Sequence, residues 1–177
     1  MNPPNKIFGI GLSKTGTTSL AAALRILNFP TKHLPLVESD FQRYQAFCDS
    51  SVAVAFQSLD ARFPGAKFIY TVREHSSWLS SCRQHFFKPA KRPKLRKIRR
   101  LLYGCDQFDE KLFSAAYYRH DDIVRRYFKD RPSSLLILNL CINDASNWRE
   151  LCAFLGCECP DIFFPWKNKT KTRMTLS

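Results

Sequence analysis

Gly11-Leu12-Ser13-Lys14-Thr15-Gly16-Thr17-Thr18 lies between an apolar run, Lys6-Ile7-Phe8-Gly9-Ile10, and the stretch Ser19-Leu20-Ala21-Ala22-Ala23-Leu24-Arg25-Ile26-Leu27. The order predicts strand, loop, helix, with Asn28 and Pro30 ending the helix. Glycines let the backbone turn tightly, so that successive N–H groups converge while the following helix adds the positive end of its dipole. The hydroxyls and the lone Lys14 complete a donor set suited to phosphate.

Working outward, a second apolar run, Lys67-Phe68-Ile69-Tyr70-Thr71-Val72, follows a helical stretch from Ala53 to Arg62 and the turn Phe63-Pro64-Gly65. A third, Ser134 to Leu140, follows a long amphipathic segment from Gln107 to Lys129 and the breaker Pro132. Continuous apolar strands separated by helices specify an α/β class, a parallel central sheet with helices on both faces. Ser146 to Leu155 reads as a last helix stopped by Gly156. The 177 residues fit one domain, with a basic insertion at about 88–100 and an irregular tail over 157–177. In such folds ligands bind beyond the carboxyl ends of the strands.

Against the nucleoside-triphosphatase pattern G-x-x-x-x-G-K-[ST], Gly11 and Gly16 are correctly spaced, but Thr17 stands where the lysine belongs and the lysine is Lys14. A kinase or triphosphatase also needs an acid at the end of a neighbouring strand to hold magnesium. Here the second strand ends in Arg73 and the third passes through Asn139. A cation in that place repels a metal and attracts a second phosphate. The expectation is a nucleotide with two separated phosphates and no metal.

Ser13-Lys14-Thr15-Gly16-Thr17-Thr18 is similar to the P-K-S-G-T-T loop of the sulfotransferases that use 3'-phosphoadenosine-5'-phosphosulfate (PAPS), with Ser13 in the place of the proline. Phe68 to Arg73, followed eight positions later by Ser81, resembles the second signature of that family. Leu59-Asp60, Phe63-Pro64-Gly65, Trp148, Phe154-Leu155-Gly156, Pro160-Asp161, Phe164-Pro165 and Asn168 match bacterial-type members, so the resemblance spans nearly the whole chain. It implies a P-loop-like sulfotransferase fold, PAPS as donor and adenosine 3',5'-bisphosphate (PAP) as product, without metal. It further implies that Ser13, Lys14, Thr15, Gly16, Thr17 and Thr18 hold the 5'-phosphosulfate, with Lys14 donating to the leaving oxygen. Arg73 and Ser81 would grip the 3'-phosphate.

The acceptor also needs a base. In the family it lies just beyond the strand preceding the Phe68 region, which here is Phe47-Cys48-Asp49-Ser50. Asp49 is the first candidate, and the same residue could instead cap a helix near Ala53. His33, in Thr31-Lys32-His33-Leu34-Pro35, ranks second because it comes early in the chain. His85 reads more readily as a surface helical histidine, and His75 and His120 carry less weight. Trp78 and Phe86, at helical spacing from Ser81, read as core.

A net charge of +13 implies an anionic partner without naming one. Much of it lies from Lys88 to Arg100, either a solvated segment or a lid or acceptor-docking surface. That run lacks interleaved aromatic residues, which argues against nucleic acid. The partner expected is a small-molecule acceptor, anionic if the basic run meets it. The alternatives are a kinase with a variant phosphate loop, or a non-catalytic nucleotide- or nucleic-acid-binding protein. Seven cysteines without a C-x-x-C pair suggest neither a disulfide framework nor zinc, and no stretch is apolar enough to span a bilayer or serve as a secretion signal. The expected location is cytoplasmic.

Overall fold

The computed structural model describes residues 6–141 and 146–167. Five parallel strands, β1 (Ile7–Gly9), β2 (Thr31–His33), β3 (Ala46–Cys48), β4 (Lys67–Thr71) and β5 (Leu135–Leu138), form one sheet in the order β2-β3-β1-β4-β5. Parallel neighbours need crossovers, which here carry α1 (Thr17–Ile26), α2 (Ser39–Arg43), α3 (Ser50–Ala53), α4 (Phe56–Arg62), α5 (His75–His85), α6 (Pro93–Tyr103) and α7 (Glu110–Tyr127). The last helix, α8 (Ser146–Leu155), follows β5.

Alternation along the strands divides the core. Ile7, Ala46, Cys48 and Ile69 face α1 and α8, where Leu20, Leu24, Trp148 and Leu151 cover them. Phe8, Phe47, Phe68 and Tyr70 point the other way, against α4 and α7 through Phe56, Val124 and Phe128. Residues one apart thus serve opposite faces, and burial on both sides makes the strands read as continuous apolar runs. A third cluster, Leu12, Trp78, Cys82, Phe86, Tyr103 and Phe113, lies beneath the loop after β1. Trp78 and Phe86 are core residues, as their spacing predicts.

The strands at β1, β4 and β5 match the three apolar runs of the sequence. β2 and β3 are each three residues long, too short for a periodic signal, and form because they complete the hydrogen bonds of the β1 edge: Ala46 pairs with Ile7 and Thr31 with Ala46. The predicted helix from Ala53 to Arg62 is two helices, α3 and α4. Most of the basic run is helical: Pro93 starts α6, whose Ile98, Leu102 and Tyr103 pack inward while Lys94, Arg96, Lys97 and Arg100 are exposed. Residues 157–167 are irregular as expected, and Trp148 donates from Nε1 to the Ile162 carbonyl across this segment at 2.8 Å. Asn168 and the tail beyond it lie outside the described residues. No helix among those described is long and apolar enough to cross a membrane.

Candidate functional site

All five strands run the same way, so their carboxyl ends share one edge of the molecule. The loop 11–16 leaves β1 there, His33 is the last residue of β2, Asp49 follows β3, Arg73 follows β4 and Cys141 lies beyond β5. Residues distant in sequence meet for that reason alone.

The loop is clamped from three sides. The Ser13 N–H donates to the Tyr103 hydroxyl at 3.2 Å, and the Trp78 indole N–H donates to the Ser13 carbonyl at 2.9 Å. Arg73 donates from Nη1 to the Lys14 carbonyl at 3.2 Å and from Nε to the Ser77 hydroxyl at 3.0 Å. Thr15 turns inward, its hydroxyl 2.7 Å from both the Leu12 carbonyl and the Thr71 hydroxyl. Its amide also bonds Leu12, so Thr15 braces the loop from within. Thr17 and Thr18 open α1, which has no side-chain cap and no acid in its first turn. A helix start of this kind, with the positive end of its dipole, is a favourable place for an anion.

Lys14 and Arg73 form no ion pair among the described residues, although both are partly buried. Their charges act on the same groups: burial pushes the Cys82 and Cys141 thiols up, and Lys14 and Arg73 together pull each back. Two uncompensated cations therefore converge on one edge of the sheet. Ser81, one turn beyond Ser77, is only 3% exposed and its hydroxyl has no hydrogen-bond partner among the described residues. An unmet buried hydroxyl costs about 1–3 kcal/mol, the kind of cost an incoming acceptor oxygen removes. Glu74 begins α5, accepting from the Ser76 and Ser77 amides, which hold its carboxyl down at about 2 and keep it ionised.

Asp49 and His33, ranked as alternatives by position in the chain, lie together. Strand pairing sets His33 opposite Cys48, the residue before Asp49. Asp49 Oδ1 accepts from the Ser50 amide at 2.7 Å and the Ser13 hydroxyl at 3.2 Å, while Oδ2 lies 3.7 Å from His33 Nδ1. The other imidazole nitrogen, Nε2, is 3.5 Å from the hydroxyls of Thr17 and Thr18. Asp49 is thus a helix cap and, through its second oxygen, a neighbour of the imidazole. Among the described residues, Lys14, Leu34 and Asp49 are three of the four non-glycine residues with positive φ, and all adjoin this site; the fourth, Asn28, follows α1. Such strain is held only where surrounding contacts over-determine the backbone.

The remaining histidines have other work. His120 is buried, bonds the Ile10 carbonyl through Nε2 at 2.8 Å, and is held neutral by burial. His75 bonds Ser114 and lies among Tyr117, Tyr118 and Trp78. His85 ends α5, its pKa lowered by desolvation and then by Lys14 and Arg99. Sequence reading missed Thr71, Ser77 and Tyr103. Only Ser77 left a signal there, four residues after Arg73 on the same helical face.

The fold is a parallel α/β sheet with a glycine-bounded loop between its central strand and the first helix. A sequence profile described as a sulfotransferase domain matches residues 6–39 and 32–173, and the chain belongs to that family. No curated protein matches it in sequence. Among solved structures, a gluconokinase from Sinorhizobium meliloti 1021 is similar at 14% identity and a TM-score of 0.49, over 88% of this chain and 94% of that one. A likeness that remote carries nothing about chemistry.

Proposed function

We propose that this sulfotransferase moves a sulfuryl group from PAPS to a hydroxyl or amine of a small acceptor. The observation that carries the reading is a pair of cations without an ion-pair partner among the described residues, Lys14 and Arg73, with Arg73 reaching the Lys14 carbonyl. A nucleotide with phosphates at both ends of its ribose needs two such cations, and the Ser81 hydroxyl on α5, the helix that follows Arg73, offers a further donor. When bound, PAPS supplies a sulfuryl group whose bond to the 5'-phosphate breaks with the electron pair left on the phosphate. The start of α1 at Thr17 and Thr18 would hold that phosphate, and the Lys14 ammonium would balance its growing charge. His33, with Nδ1 toward Asp49 and Nε2 toward the loop, would take the acceptor proton, and Asp49 would orient the ring. Sulfuryl transfer then rests on positioning and charge stabilisation.

Thermal shift tests the donor. PAP at a hundred times its Kd, without metal, should stabilise the fold by about 2.7 kcal/mol, or roughly 5–10 °C in Tm. A shift with magnesium and ATP but none with PAP would replace this reading with a kinase. For the base, His33→Ala should lower kcat/KM by about a hundredfold or more and remove the acid limb of its pH profile, whereas Asp49→Asn should keep the limb at reduced rate. The reverse pattern would make Asp49 the base.

A further inference from the structure

Beside the His33–Asp49 pair lies a cleft of about 430 Å³, within the range of small-molecule sites. It begins two residues past each member of the pair: Pro35 and Ser51 both line it. Its floor is apolar, made by Phe41, Ala55 and Leu59, and the facing wall is α6, through Ile98 and Leu101. Lys94 ties that wall to the opposite loop by donating to the Leu36 carbonyl at 3.2 Å.

Three features mark it as a binding site rather than a packing gap. Val37 and Leu101 are 50% and 61% exposed, yet both line this one cleft. Exposed apolar side chains gathered around a concavity are held there against the hydrophobic effect. The Ser51 hydroxyl, also at the cleft, is shielded from solvent and has no hydrogen-bond partner among the described residues. The charged rim is lopsided: Lys94 and Lys97 stand exposed, whereas the carboxylate of Glu38 is held by Arg62. Arg96, on the same helix, turns away to the Ala90 carbonyl and Asp106.

We propose that this cleft is the acceptor site and that its ligand is a hydroxy acid with an apolar body, an identification that rests on the sulfotransferase reading above. The body lies between Leu59 and Leu101, the anionic group meets Lys97 and Lys94, and the hydroxyl reaches toward His33. The cationic face of α6 thus selects an acidic acceptor, while most of the binding free energy comes from apolar contact.

Calorimetric titration with ω-hydroxylaurate and with its methyl ester, each with and without PAP, tests the assignment. The acid should bind the wild-type chain about tenfold more tightly than the ester, a preference that shrinks in high salt. Lys97→Glu should abolish or invert the preference without weakening the ester. Ala55→Trp, which fills the floor, should remove binding of both ligands and leave PAP binding unchanged. If that variant unfolds, Leu101→Glu on the exposed wall serves instead and should weaken the acid more than tenfold. Equal affinity for acid and ester, loss of neither on filling the cleft, or no saturable binding of either overturns the proposal, as does burial of the cleft in a dimer seen by sedimentation. Failure of PAP to bind while the Lys97-dependent preference persists would sink the donor reading alone and leave the cleft standing.

Discussion

Replacing Lys14 with alanine is expected to lower kcat by on the order of a thousandfold, about 4 kcal/mol of transition-state stabilisation, with little change in Tm. The ammonium makes no ion pair among the described residues, so its removal leaves no buried partner behind. The Lys14 carbonyl, which accepts from Arg73, stays in place because it belongs to the backbone. Alanine meets the same positive φ of 75° as lysine, so the loop's strain is unaltered. Turnover and PAP binding should therefore separate. kcat collapses, whereas affinity for PAP falls only modestly, since Thr17, Thr18 and Arg73 remain. Unchanged kcat in a folded Lys14→Ala protein would remove this residue from the mechanism.

Gly11→Ala should have the largest effect on the fold of any single methyl addition at the site. A Cβ there would lie 1.9 Å from the Thr71 hydroxyl, 2.6 Å from the Thr15 hydroxyl and 2.6 Å from the Thr71 carbonyl. A flexible side chain could give way, but Thr71 is wholly buried and its carbonyl is part of β4. The strand and loop must separate, at a cost of about 3 kcal/mol, or roughly 6–12 °C in Tm, with loss of PAP binding. Thr71→Ala in the same chain should restore part of the loss, because it relieves the hydroxyl contact and leaves the carbonyl one. A Gly11→Ala protein with wild-type Tm and PAP binding would show that the loop does not pack against β4 as described.

The loop between β1 and α1 was legible because its signal is local. Two glycines, a lysine and hydroxyls within eight residues, between an apolar run and an Ala-rich helix, declare a phosphate cradle before any contact is known. The long elements were legible for the same reason: β4, α7 and α8 each carry enough periodic or continuous apolar residues to outweigh their surroundings. β2 and β3 were not, since three residues hold no period and their strand character comes from hydrogen bonds lent by β1. The basic run gave no secondary-structure signal of its own, because its charge hides the apolar face of α6, which is ordered by the cluster of Trp78, Phe86 and Phe113.

Sequence alone determined an α/β fold with a glycine-bounded loop after the first strand and a cation at the end of the second recognisable strand, because these depend on residue type and short-range spacing. Tertiary structure decided that His33 and Asp49 are neighbours rather than rivals, that Tyr103 and Trp78 hold the loop, and that α6 walls a cleft beside them. Those facts depend on which strand edges pair and on where parallel crossovers return the chain, and both are settled by long-range hydrogen bonding and burial that no local stretch of residues encodes.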